Sequence, residues 1–259
     1  MHTRNLPTID AGYWTAIVAA SMCGANSGDL AAGPLGLGHV KGLLPMAIIF
    51  LVIVFAEKSL KWTTVAFYWL AIIVLRTMAT NLADFGGHDM KLSYPAFIVI
   101  LSAFMAVMIW LDKAAGTEVS GVLGRDGVWR GLPATNWNYW ITMLAAGTLG
   151  TVLGDWLAEK DNLDFGPYWA SLICVPVFFG ALYLAYTVGK LGKPWYWLAI
   201  VACRTLGTDL GDALVGLLRS VTPTRPMGLW ASTALTALLL ASIVMFWKHK
   251  SADKLQPAE

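Results

Sequence analysis

Four times in this chain a Tyr-Trp pair is followed, fifteen residues after the Trp, by an aspartate. The pairs are Tyr13-Trp14, Tyr68-Trp69, Tyr139-Trp140 and Tyr196-Trp197; the aspartates are Asp29, Asp84, Asp155 and Asp212. A residue with at most a methyl side chain precedes each Asp (Gly28, Ala83, Gly154, Gly211), and another stands four positions earlier (Gly24, Ala79, Gly150, Gly207). The halves also match: Arg76-Thr77-Met78-Ala79-Thr80-Asn81-Leu82-Ala83-Asp84 reads without a gap against Arg204-Thr205-Leu206-Gly207-Thr208-Asp209-Leu210-Gly211-Asp212. Self-similarity at fixed spacing marks a repeat architecture. The chain therefore reads as four copies of one unit, paired into two halves.

The unit is set by the residues between the motifs. The chain is 57% hydrophobic and 13% charged, about half the ~25% charge of a soluble domain, and its apolar residues come in long blocks. Eight blocks stand out: Tyr13 to Ala32, Val40 to Ala56, Val65 to Phe85, Tyr94 to Leu111, Trp137 to Leu157, Pro167 to Val188, Trp195 to Leu217 and Met227 to Trp247. Each is near the ~20 residues a helix needs to cross ~30 Å of hydrocarbon. The expected fold is an all-α membrane protein of eight transmembrane helices, made of four parallel two-helix repeats with pseudo-twofold halves. The first half is 1–112, with repeats 12–59 and 66–112; the second is 137–259, with repeats 137–190 and 194–250. Between them, 113–136 is rich in Gly and charge and reads as a flexible connecting loop, and no separate soluble domain is left over.

Basic residues set the orientation. With the N-terminus cytoplasmic, that side holds Arg4, Lys58, Lys61, Lys113, Arg125, Arg130, Lys190, Lys193, Lys248, Lys250 and Lys254, against Lys41, Lys91, Lys160, Arg219 and Arg225 on the other. The excess favours both termini and the connecting loop inside. The first span matches three internal spans, so it reads as part of the mature fold rather than a signal peptide. The Trp residues of the four motifs read as interface anchors. Cys23, Cys174 and Cys203 lie in apolar blocks with no CxxC, and read as small buried residues rather than a disulfide or zinc framework. A net charge of +2 gives no pointer to nucleic acid.

Through its Tyr-Trp openings and Gly-Asp or Ala-Asp endings, nearly the whole chain resembles a family of bacterial inner-membrane proteins with four tandem repeats of two transmembrane segments each, a repeat of unknown function. The resemblance implies the eight-span architecture and a multi-pass place in the bacterial inner membrane. It implies no mechanism, which has to come from the residues.

Fifteen residues at ~1.5 Å place each Asp roughly 22 Å beyond its Trp, deep in the membrane, with Arg76 and Arg204 near its middle. At about 100° per residue, the positions three, four, seven and eight before each Asp share one broad face with it. That face carries Asn81, Thr80, Thr77 and Arg76 in the second copy and Asp209, Thr208, Thr205 and Arg204 in the fourth; copies one and three are sparser, with Asn26, Ser21, Thr151 and Thr148. The pairs Gly24/Gly28, Gly150/Gly154 and Gly207/Gly211 form small-xxx-small stripes that let backbones approach closely. The odd helices are therefore expected to pack on one another with polar faces inward, and the apolar even helices to face lipid.

Ionisable residues inside a membrane cost ~2.5–3.5 kcal/mol each on insertion scales and usually mark a solute path. Carboxylate, amide and hydroxyl oxygens suit hard cations. The reading is a transporter of a small hard cation (Mn²⁺, Mg²⁺, Ca²⁺ or Na⁺), with manganese the first choice, proton-coupled export an option, and no cofactor and no enzymatic step. Asp29, Asp84, Asp155 and Asp212 are the expected metal ligands, helped by Asp209, Asn26, Asn81, Thr80 and Thr208. Arg76 and Arg204 are each expected to pair with a carboxylate of a neighbouring odd helix. His39 and His88 read as solvated loop residues. Two alternatives stand beside this one: a carrier of a small organic or inorganic anion held by the arginines, and a non-transporting assembly or sensor protein. A homo-oligomer is open. Several motifs are missing: the residue three before each Asp is never Gly, as a Gly-x-Gly-Asp protease motif requires, and there is no P-loop, Gly-x-Ser-x-Gly or His-Glu-x-x-His.

Overall fold

The computed structural model describes residues 7–60, 65–114, 121–123, 129–131, 135–188 and 193–254. Eight long helices account for nearly all of them: α1 Ala11–Ala32, α2 Leu43–Ser59, α3 Val65–Asp84, α4 Tyr94–Ala114, α5 Trp137–Ala158, α6 Gly166–Tyr183, α7 Lys193–Val221 and α8 Arg225–Lys254. Six helical segments are long and apolar enough to cross a membrane: Gly38–Glu57, Val65–Asp89, Tyr94–Leu111, Trp137–Ala158, Gly166–Val188 and Pro226–Trp247. The two helices outside this set, α1 and α7, are the more polar ones. They hold Ser21, Asn26 and Asp29, and Arg204, Asp209 and Asp212. The connection expected to be a flexible loop lies largely outside the described residues; within it Gly121–Leu123 pairs antiparallel with Trp129–Gly131 in a small ribbon.

Side-chain size decides which helices meet. The odd helices form a closed inner ring in which α1 packs on α3, α3 on α5, α5 on α7 and α7 on α1. Each crossing is made by the small residue five before the Asp against the residue eight before the Asp on the next helix. A Cβ on Gly24 would collide with Arg76, one on Gly150 with Arg204, and one on Gly207 with Ser21. The remaining crossing has the sizes reversed: Ala79 supplies a methyl and faces Gly147, where an added Cβ would come within 2.8 Å of it. The expected role of Gly24, Gly150 and Gly207 in close packing is therefore visible contact by contact. At the next turn a Cβ on Gly28 would lie 2.7 Å from Thr80, one on Gly154 3.0 Å from Asp209, and one on Gly211 3.1 Å from Asn26.

The even helices form the outer layer, each shifted by one repeat. Helix α2 packs on α3, α4 on α5, α6 on α7, and α8 returns to α1. Trp247 of α8 fastens that last contact. Its indole N–H donates to Asp10 Oδ2 at 3.1 Å, while Asp10 Oδ1 accepts from the Tyr13 backbone N–H at 3.1 Å and so caps α1. Outward, the even helices expose large apolar side chains, among them Val52, Phe55, Val99, Phe104, Leu172 and Leu238.

Candidate functional site

Residues spaced by four from each Asp define layers across the inner ring. Sixteen before it are the four tyrosines. Twelve before it are Ile17, Ile72, Met143 and Ile200, all fully buried. Eight before it are Ser21, Arg76, Gly147 and Arg204, and four before it Ala25, Thr80, Thr151 and Thr208. An inward period of four exceeds the 3.6 residues of a helical turn, so the inner helices must wind about their axis in the right-handed sense. That period explains why the expected broad polar face divides. Positions four and eight before the Asp face the axis, whereas positions three and seven before it turn away.

At one end the axis opens into a polar cavity of about 250 Å³ lined by Asp29, Asp84, Asp155 and Asp212 together with Ala25, Thr80, Thr151, Thr208, His39 and His88. The four repeated aspartates thus share one space, half-buried, with Asp84 and Asp212 on opposite helices of the ring. Thr80 and Thr208 line the same cavity. Among the described residues, however, no three His, Cys, Asp or Glu side chains are close enough to hold one metal ion. Direct ligation by the four aspartates, as the letters suggested, is not set up.

Three of the expected helpers lie elsewhere, because they occupy the position three before the Asp. Asp209 is fully buried and accepts from the Cys174 thiol of α6 at 3.3 Å. Asn26 donates to Ser232 of α8 at 2.7 Å. Asn81 is buried with neither amide atom hydrogen-bonded among the described residues. None of the three lines the cavity; Asp209 and Asn26 join the inner ring to the outer helices. Thr77, Thr148 and Thr205, seven before the Asp, donate to backbone carbonyls four residues back.

The arginines depart from expectation too. Arg76 is 1% exposed and points to the cavity floor, where it donates to Thr80 (2.8 Å), Thr151 (2.6 Å) and Thr208 (2.6 Å). Those threonines donate in turn to the carbonyls of Arg76, Gly147 and Arg204, which leaves oxygen lone pairs free for the guanidinium. Arg204 instead donates to Ser21 at 3.1 Å and to the Met143 sulfur at 3.2 Å. Among the described residues the ion pairs are His39–Asp89, His88–Asp84 and His88–Glu159, so neither arginine meets a carboxylate within 4 Å. The hydroxyl layer stands where the carboxylates were expected, since each Asp lies two turns further along its helix. The two arginines are also not twofold mates, one reaching toward the cavity and the other away from it.

His39 and His88, expected as solvated loop residues, both line the cavity, His88 remaining exposed. A π-helical turn, Phe85–Asp89, carries His88 back over α3, placing its Nδ1 3.8 Å from Asp84 and its Nε2 3.1 Å from Glu159. His39 meets Asp89 at 3.0 Å. The signal was in the register: His88 and Glu159 each stand four residues after their repeat's Asp, one further layer of the same series.

At the other end the axis is shut. Tyr13 is hydrogen-bonded through its hydroxyl to Tyr68 (2.9 Å) and Tyr196 (2.7 Å), and Tyr139 to Tyr68 (2.7 Å) and Tyr196 (3.2 Å). The four hydroxyls close a ring. Each tyrosine also lies between the Trp of its own repeat and that of the next: Tyr13 is 5.4 Å from Trp14 and 5.8 Å from Trp69, and the series continues round to Tyr196, 5.1 Å from Trp197 and 6.0 Å from Trp14. The four Trp are therefore buried in this collar and are not interface anchors; edge-to-face packing on tyrosine wins over the interface.

Replacing Tyr68 alone by Phe leaves Tyr13 and Tyr139 each one bond short, at a cost of about 1–3 kcal/mol. The fourfold Phe variant leaves no orphan hydroxyl, so its loss per site is expected to be smaller. Thermal unfolding of the single, double and fourfold variants in detergent checks this; costs that simply add would show that the ring has no cooperativity.

Residues 138–190 and 195–252 match the model of a family described as a Repeat of Unknown Function (DUF347). The second half of the chain thus matches that repeat twice in tandem, each match beginning at a Tyr-Trp motif and taking in its Asp. No curated protein and no solved structure matches the chain.

Proposed function

We propose that the protein is a multi-pass membrane transporter of a small hard cation, taken up in hydrated form by the acidic cavity. The observation that carries this reading is that Asp29, Asp84, Asp155 and Asp212, one from each repeat, line a single cavity. At roughly 30 Å³ per water, its volume of about 250 Å³ suits an ion with its first water shell. Since no three carboxylate or imidazole groups converge on one point among the described residues, the waters would ligate the ion and the carboxylates would accept from those waters. Mn²⁺ is the first choice, and Mg²⁺, which sheds its waters reluctantly, is the alternative of equal charge. The exposed apolar side chains of the even helices fit a lipid surround. We place the protein in a bacterial inner membrane with both termini and the 113–136 connection cytoplasmic, which puts the cavity mouth on the outer side.

The test is flux in proteoliposomes, with Mn²⁺, Mg²⁺, Ca²⁺ and Na⁺ beside a panel of small organic acids. Saturable movement of a divalent cation is expected. The anion alternative has one observation in its favour, that neither guanidinium meets a carboxylate. Uptake of an organic anion, lost in Arg76→Gln and retained in Asp84→Asn, would establish it in place of the cation. Movement of neither class would leave the assembly or sensor reading. Orientation has its own check: a reporter fused at the C-terminus, or a cysteine in the 113–136 connection, should be reached by impermeant reagents only from the cytoplasmic side. Labelling from outside would reverse the orientation.

A further inference from the structure

We propose that the tyrosine ring is the gate of an axial path whose other mouth is the acidic cavity. The inference rests on the transport reading for its cargo, but its geometry stands apart from it. Hydroxyl oxygens 2.7–3.2 Å from their neighbours around a four-membered ring leave no room on the axis for a water molecule, let alone an ion. Among the described residues no other layer closes a ring of hydrogen bonds within itself: the layer next to it holds three isoleucines and Met143, and the arginines bond mostly into other layers. A rivet made for packing alone would need only phenyl rings, since a buried hydroxyl without a partner is costly. The hydroxyls make closure all-or-none. When one tyrosine withdraws, both neighbours lose a bond, and each freed hydroxyl turns to water or to the passing solute. Hydroxyl oxygen is also a ligand that hard cations accept. Packed elements of this kind hold two discrete states rather than a continuum.

The path beneath the gate can be probed by thiol chemistry. The background is a variant with Cys23, Cys174 and Cys203 replaced by Ala, in which Ile200→Cys places one thiol in the layer next to the ring. A membrane-impermeant methanethiosulfonate is applied from the collar side of sealed vesicles. With the ring intact and no cation gradient, labelling is expected to be slow. Tyr13→Phe with Tyr139→Phe, opposite corners whose loss removes all four bonds, should speed it at least tenfold, and a Mn²⁺ gradient should speed it in the intact protein. A second thiol, Ala25→Cys in the cavity, should label from the cavity side at the same rate with or without the Phe pair, which shows that the variant is folded. Equal Ile200→Cys labelling with and without the Phe pair overturns the gate. So does Mn²⁺ flux with Ile200→Cys untouched, which leaves transport standing by another route. If no tested cation moves, the transport reading fails, and the Phe-pair comparison alone decides whether the ring closes a path.

Discussion

The Asp84→Asn, Asp212→Asn double variant is expected to insert and fold normally and to lose about a hundredfold in affinity for a divalent cation. The two carboxylates face each other across the cavity, on opposite helices of the inner ring. At an effective dielectric constant of about 20, a unit charge some 5 Å from a divalent ion interacts with several kcal/mol. Water in the cavity and the Arg76 guanidinium under its floor reduce that figure, so the pair together is expected to contribute about 2.7 kcal/mol, which is a hundredfold. Asparagine keeps the shape and removes the charge. Asp209→Asn is the matching control, because that carboxyl lies against Cys174 and away from the cavity; its binding should be unchanged. Calorimetric titration of the purified protein with Mn²⁺ measures all three. If Asp209→Asn is as damaging as the double variant, net charge rather than the cavity governs binding, and the placement of the site is wrong.

The second large effect concerns assembly. Gly150→Leu sets a four-carbon side chain where even a Cβ would collide with Arg204 and come within 3.0 Å of backbone. Overpacking costs about 1–3 kcal/mol in ordinary cores, and here rigid backbone prevents relief, so the cost should exceed about 4 kcal/mol and the protein should fail to assemble. The size-reversed crossing gives a sharper check. Gly147→Ala alone should destabilise by about 1–3 kcal/mol by meeting Ala79. Adding Ala79→Gly should recover most of the loss, since it exchanges the two residues across the interface. Thermal melts of the single and double variants decide it; no recovery in the double would mean that these helices do not cross at this point.

The distribution of what the letters revealed has physical causes. Equal Trp-to-Asp intervals fix equal rises along equivalent helices, so the meeting of four aspartates could be read directly, as could the close-packing glycines. The wrong half of the polar face came from assuming a straight helix of 3.6 residues per turn. In the closed ring the inward stripe repeats every four, and Asn26, Asn81 and Asp209 fall on the far side of that line. Sequence also could not choose partners for Arg76. Its reach spans both the hydroxyl layer and the carboxylate layer, and only the depth of each layer shows that the hydroxyls come first. The Trp residues misled because their neighbours in space belong to another repeat: Trp69 stacks on its own Tyr68 and on Tyr13, fifty-six residues earlier. His88 sat in register with Asp84, but that register gained meaning only once the four-residue layering was seen.

The shift of each outer helix onto the next repeat has a consequence for how the fold can be divided. Each outer helix covers the inner helix of the following repeat, α2 on α3, α4 on α5, α6 on α7 and α8 on α1, and α8 lies against α7 of its own repeat as well. Every boundary between repeats is therefore the same kind of boundary, and the covalent links between them are not what orders the ring. Two separately synthesised halves carry complementary edges, as would four copies of a single repeat whose crossing residues are of the Gly150 and Arg204 type. The ring is in this sense a cyclic oligomer written into one polypeptide, and the mismatched layers of Ser, Arg, Gly and Arg are what joining the subunits permitted: a centre whose four sides no longer have to be alike.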